Sequence, residues 1–286
     1  MRYRVAIEIL RKAPTVADMP ICGAGAPEAC ISAKPGVGIE ASAQLSIPPT
    51  EVKRKVALLI ANSSYRGDIP SLNTPAGDAE AVGKVLKDKF GYEVTLVENG
   101  GKGDIARALN KLVESTRQDE SVLIYYAGHG YELRDLRAGF WIPSDATSSD
   151  PRTWISNNDV QRFLSRIDAK QIMLVSDSCF SGTLAKEEPV DAPMTTPKQQ
   201  LLSRRAVIAM SSGGEEPVAD AGLGGHSVFG YFFLRTLGSV SQDSPASVLY
   251  DRLKFDVQRA FPQTPQLGGV ASAGHMHQAN YLFEPK

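Results

Sequence analysis

The chain has 286 residues, 42% of them hydrophobic, which is enough to bury a full core as one large domain or two small ones. Its 31 basic and 32 acidic residues leave a net charge of -1, so no overall field draws it to nucleic acid or to an anionic membrane. Three cysteines are too few for a disulfide framework; Cys22 and Cys30 are near enough to bridge in an oxidising compartment, but two free loop thiols is the simpler expectation.

In chain order, Val5, Ile7 and Ile9 alternate with polar residues as in a strand, and Arg2, Arg4, Glu8, Arg11 and Lys12 interrupt any signal-peptide core. No stretch approaches the roughly 18 apolar residues of a membrane span, so the expected location is the cytoplasm, away from membranes. Residues 13–50 are rich in Pro, Gly, Ala and Ser and have no period, which marks 1–50 as an extension or pro-segment and 51–286 as the main domain. The apolar run at 56–61 predicts a buried strand, and Ala79, Val82, Leu86 and Phe90 share a helix face. A strand at 92–97 follows. Next come a helix from about Asp104 with Ile105, Leu109, Leu112 and Val113 inward, a strand at 122–127, a helix at 158–167 and a strand at 172–177. Repeated strand-helix order predicts an α/β fold, a mostly parallel central sheet with helices on both faces. The proline-bearing stretch 183–203 is too long for an ordinary connection. A strand at 206–210, a break at Ser211 to Gly214, helices at 227–237 and 247–261 and a final coil complete the chain.

Two of the apolar strands run into reactive side chains, His129 beyond Tyr-Tyr-Ala-Gly and Cys179 beyond Ser-Asp-Ser. In parallel α/β sheets ligands sit at the carboxyl ends of the strands, so both side chains fall where a substrate binds. A thiol attacks as thiolate and needs a base or a lowered pKa; a histidine on the neighbouring strand end serves as base and then as acid toward the leaving amine. The backbone amides of Gly130 and Cys179 are the candidate oxyanion donors. Taken singly, Cys179 reads as well as an inert buried cysteine, and His129 as a satisfied histidine. Their joint position at two strand ends favours catalysis.

Tyr-Ala-Gly-His-Gly at 126–130 and Asp-Ser-Cys-Phe-Ser-Gly at 177–182, with histidine about 50 residues before cysteine, resemble the catalytic blocks of caspase-like cysteine peptidases, in particular bacterial caspase homologues and metacaspases. The resemblance runs from about Lys55 to the C-terminus and takes in Val-Ala-Leu-Leu-Ile-Ala-Asn-Ser-Ser-Tyr at 56–65, Ala-Gly-Asp-Ala at 76–79 and Gly-His-Ser-Val-Phe-Gly-Tyr-Phe-Phe at 225–233. It implies a large-subunit-like part at 51–182, a linker at 183–203 and a small-subunit-like part at 204–286. The cysteine block departs from the Gln-Ala-Cys of caspases proper. In metacaspases an aspartate two residues before the cysteine and one in the Asp-Ala block bind a basic side chain, roles that fall here on Asp177 and Asp78. Two carboxylates in a partly desolvated pocket need a cation, and arginine adds bidentate hydrogen bonds, so cleavage is expected after arginine, with lysine next. Asp78 reads alternatively as a helix N-terminal carboxylate.

Calcium-dependent metacaspases carry an acidic loop after the histidine. Here Asp135, Asp145, Asp150 and Asp159 are scattered among cations, so activity without calcium is expected, with no metal and no cofactor. His275 and His277 lack partners at zinc-ligand spacing, and His226 reads as a turn residue or a pocket wall. Lys186, Lys198, Arg204 and Arg205 suit self-cleavage of the linker, against which stands a merely mobile loop. The expected partners are a peptide substrate with a basic residue before the cut and an upstream activator. The alternatives are the same dyad with another specificity, such as Asp, and a silent regulatory module that binds a partner through 1–50.

Overall fold

The structure, a computed structural model, describes residues 51–133, 135, 138–178, 185, 188–190, 196–213 and 223–286; the extension 1–50, Cys179 and Lys186 lie outside the described residues. Eleven strands are present among them: β1 (Arg54–Ala61), β2 (Glu93–Glu98), β3 (Glu120–Ala127), β4 (Gly130–Leu133), β5 (Ala138–Trp141), β6 (Ile155–Ser156), β7 (Gln171–Asp177), β8 (Ala206–Ser211), β9 (Ser244–Pro245), β10 (Gln266–Gly269) and β11 (Leu282–Phe283). The helices are α1 (Pro75–Val85), α2 (Lys102–Ser115), α3 (Asn157–Arg166), α4 (Lys198–Ser203), α5 (Val228–Ser239) and α6 (Ala246–Ala260).

Six strands form the central sheet in the order β10-β8-β7-β3-β1-β2. All neighbouring pairs are parallel except β10 with β8. The side-chain period of two sorts the apolar runs between two cores. From β1, Ala57, Leu59 and Ala61 join one core with Val82 of α1, Phe229 and Phe233 of α5 and Leu253 of α6. Val56, Leu58 and Ile60 join the other with Ile105 and Leu109 of α2 and Val160 and Leu164 of α3. The runs are apolar throughout because both faces of the sheet are covered.

Two expectations need correction, and one stretch that the sequence left unassigned proves to be a sheet. The segment after α6 is not all coil: β10 adds an antiparallel edge strand, whose sequence Gln-Leu-Gly-Gly carries no strand period. The stretch after His129 folds as a three-stranded antiparallel sheet, β4-β5-β6. Within the 183–203 linker, α4 is ordered by burial of Leu201 and Leu202. The remaining elements lie within two residues of their expected limits where the apolar spacing is strong. Among the described residues no helix is long and apolar enough to cross a membrane.

Candidate active site

Register places the site. Ala127, the last residue of β3, pairs with Ala61 of β1 and with Asp177 of β7, so three strand ends share one row. Gly128 follows, donating its N–H to Asp177 O at 3.3 Å. A Cβ on Gly128 would lie 2.8 Å from Tyr65 Oη and 2.9 Å from Tyr126 Oη, so the close approach of two tyrosines requires glycine there. These hydroxyls hold the next residue. His129 N donates to Tyr65 Oη at 2.8 Å, which donates to Asn62 O at 2.9 Å, and Tyr126 Oη donates to His129 O at 2.7 Å.

The imidazole of His129 is half-buried, tilted at 49° over the Tyr65 ring at 4.8 Å, with Nε2 2.8 Å from Pro70 O. A carbonyl oxygen only accepts, so Nε2 carries the proton. Nδ1 is then the basic nitrogen of the neutral ring. Gly130 opens β4 opposite Trp141 of β5. Trp141 stacks on Tyr126 at 4.3 Å and donates Nε1–H to Ser176 Oγ at 3.1 Å. Ser176 Oγ lies 3.1 Å from Ser178 Oγ, and Ser212 Oγ donates to Ser178 O at 3.4 Å. The residue immediately before Cys179 is therefore held by Ser176, itself fixed from β5, and by Ser212, the residue just after β8.

Asp78 and Asp177 come together at the start of α5. Asp78 sits in the first turn of α1, where the alternative reading put it, but its carboxylate points across to another element. Oδ1 is 2.5 Å from His226 Nδ1 and Oδ2 accepts from Ser227 N at 3.1 Å. Ser227 caps α5, accepting from Gly230 N at 2.7 Å, and donates Oγ–H to Asp177 Oδ2 at 2.5 Å. One serine thus bridges both carboxylates at a helix N-terminus, where negative charge is favoured. Gly230 is required by the packing, since a Cβ there would lie 2.7 Å from Asp78 Cγ.

Burial, set against the donors Ser227 and His226, pushes the Asp78 carboxyl above its ordinary value of 3.8. The neighbouring Tyr125 hydroxyl is buried without a hydrogen-bond partner among the described residues. Burial first, then Asp177 and Asp78, hold it well above 10.

The remaining candidates lie elsewhere. Lys198 Nζ pairs with Asp243 at 2.8 Å and with Glu284. Arg204 donates to His277 O and to Gln278. Arg205 donates to Leu164 O, Ile167 O and Ala169 O at 3.0, 2.9 and 2.7 Å. Asp145 accepts from Lys102 N, Asp150 from Arg152 N and Asp159 from Ser156 N. Among the described residues no group of three or more His, Cys, Asp or Glu side chains is placed to hold a metal ion. His275 accepts from Val207 N at 3.2 Å through Nδ1.

Tyr65, Pro70 and Ser227 were not singled out from the sequence. Tyr65 and Pro70 carry no pattern that would have done so, because their roles arise from loop contacts. Ser227 had a signal, a serine just before an apolar helical run. His226, expected in a turn or a pocket wall, meets Asp78.

A family model described as "Caspase domain" matches residues 54–272. Solved structures with a similar fold include caspase-1 from the insect Spodoptera frugiperda, at TM-score 0.59 and 14% identity over 78% of this chain and 88% of that one. Another is a protein from the bacterium Geobacter sulfurreducens, at TM-score 0.56 and 15% identity over 80% of this chain and 99% of that one. No curated protein matches the sequence.

Proposed function

This chain belongs to the caspase domain family of cysteine peptidases, and on that premise we propose that it is an endopeptidase with Cys179 as nucleophile and His129 as base, cutting after arginine and, second, lysine. The observation that carries the reading is the row of strand ends Ala127 and Asp177, with His129 and Cys179 each two residues further along the chain. His129 Nδ1, basic because Nε2 donates to Pro70 O, takes the thiol proton. The thiolate adds to the scissile carbonyl, and the amides of Gly130 and Cys179 hold the oxyanion. The imidazolium then protonates the leaving amine as the C–N bond breaks, which leaves a thioester. Water, deprotonated by the same nitrogen, hydrolyses it and returns the thiol.

Asp78 and Asp177 supply the negative charge that selects a basic side chain, with Ser227 holding both in place. Activity without calcium is supported by the local uses of Asp145, Asp150 and Asp159. Self-cleavage in 183–205 is proposed at Lys186, Lys198, Arg204 or Arg205, and at the last three it requires release from folded partners. The test compares wild type with Cys179→Ala on fluorogenic peptides ending in Arg, Lys or Asp, with and without a calcium chelator, while gels follow the chain. Arginine-directed hydrolysis, absent from the variant and indifferent to the chelator, is the expected result. Equal hydrolysis by the variant, or preference for Asp, refutes it.

A further inference from the structure

Asp78 is a carboxylate that the fold has taken almost entirely out of water, its side chain 1% exposed. Desolvation alone drives such a group to its neutral form, and hydrogen-bond donors to the charged form oppose this. The donors are the backbone N–H of Ser227 and the ring Nδ1 of His226, with a smaller contribution from the Ser227 hydroxyl, so His226 is the foremost side-chain donor. The other groups facing the carboxylate among the described residues bring no positive charge. From β7, Asp177 is a second carboxyl group, linked to it through Ser227, whose backbone N–H reaches Asp78 and whose hydroxyl reaches Asp177; from β3, Tyr125 brings a buried hydroxyl and no positive charge. Among the described residues, no lysine or arginine forms a salt bridge with Asp78, and His226 is its one cationic partner when protonated. Gly230 closes the side toward α5, since a Cβ there would lie 2.8 Å from Asp78 Oδ2. The imidazole itself is 26% exposed, so it stands between the buried carboxylate and solvent.

We propose that His226 is a positioning residue for Asp78: the Nδ1–H it donates keeps a desolvated carboxylate ionised for the basic side chain of the substrate. The proposal rests on the acidic-pocket reading given above and deepens it. His226 touches no reacting atom in this scheme and acts through Asp78. Its loss therefore changes substrate binding and leaves the chemical steps at Cys179 alone. A carboxylate held only by Ser227 takes up a proton at higher pH, and the pocket then loses half of its negative charge.

The test measures kcat and KM for arginine peptides as a function of pH, in wild type, His226→Ala, His226→Asn, Asp78→Asn and the double variant His226→Ala/Asp78→Asn. His226→Ala is expected to raise KM about tenfold at little change in kcat, the size of one lost hydrogen bond to a charged group. On acidification its KM should begin to climb at a higher pH than that of wild type. His226→Asn, whose side-chain amide can place an N–H near Nδ1, should restore most of the affinity. In the Asp78→Asn background the histidine substitution should add nothing, as expected for two residues acting as one unit. If the alanine variant does not fold, His226→Phe keeps the bulk of the ring without the donor. A donor-free variant with wild-type KM and an unshifted pH profile overturns the proposal, as does a full further loss in the double variant. If instead wild type shows no preference for arginine, or Asp78→Asn keeps its KM, the acidic pocket itself fails and the role of His226 fails with it.

Discussion

Removing the Ser227 hydroxyl strikes two bonds with one atom. In Ser227→Ala the N–H of Gly230 loses its cap and Asp177 loses a donor at 2.5 Å, while the backbone N–H of Ser227 still reaches Asp78. An N-cap substitution costs about 1 kcal/mol and a hydrogen bond to a buried charged group about 1.5 to 3, so the sum is about 2.5 to 4 kcal/mol. In a domain of this size each kcal/mol lowers Tm by about 2 to 4 °C, which places the expected fall at about 5 to 15 °C. Urea unfolding with the Cys179→Ala background, which prevents self-digestion, gives the free energy directly. The double variant Ser227→Ala/Asp177→Asn should lose less than the two single losses together, because they share a bond. Arginine peptides should also bind the active Ser227→Ala enzyme more weakly, since Asp177 is no longer oriented. A stability loss below about 1 kcal/mol would mean that the serine is neither cap nor bridge in solution and would refute the reasoning.

Tyr65→Phe removes the acceptor for His129 N and should lower kcat about tenfold or more through a displaced imidazole while KM changes little; steady-state kinetics checks this, and an unchanged kcat denies Tyr65 its role. Arg205→Ala strips charge-assisted donors from Leu164 O, Ile167 O and Ala169 O around the end of α3, at an expected cost of about 2 to 4 kcal/mol in urea unfolding. Asp78 has a pH signature. Its folded pKa lies above its unfolded value of about 3.8, so the folded state binds the proton more tightly. The associated stability is present below the unfolded value and is lost as pH rises through the folded one. Urea midpoints against pH should show that fall in wild type and its absence in Asp78→Asn; parallel profiles would contradict the burial argument.

Much of this molecule is legible without coordinates. The apolar runs at 56–61, 122–127 and 172–177 declare strands covered on both faces, and the helical spacing of Ile105, Leu109 and Leu112 declares the cover. Strand-helix alternation then makes the sheet parallel, and His129 follows the carboxyl end of β3 just as Ser178, the neighbour of Cys179, follows that of β7. These features are periodic or local, and a sequence records such features directly. β10 was not legible because Gln-Leu-Gly-Gly has no strand period and is ordered only by pairing with β8. Nor were the uses of Tyr65, Pro70 and Ser227, which lie 64, 59 and 50 positions from the partners they hold. A hydrogen bond between distant segments leaves no spacing in the chain. The candidate histidine and cysteine are therefore legible in the sequence, whereas the hydrogen bond that orients the His129 ring and the bridging of two buried carboxylates by one serine exist only once the strand ends and the start of α5 have been brought together.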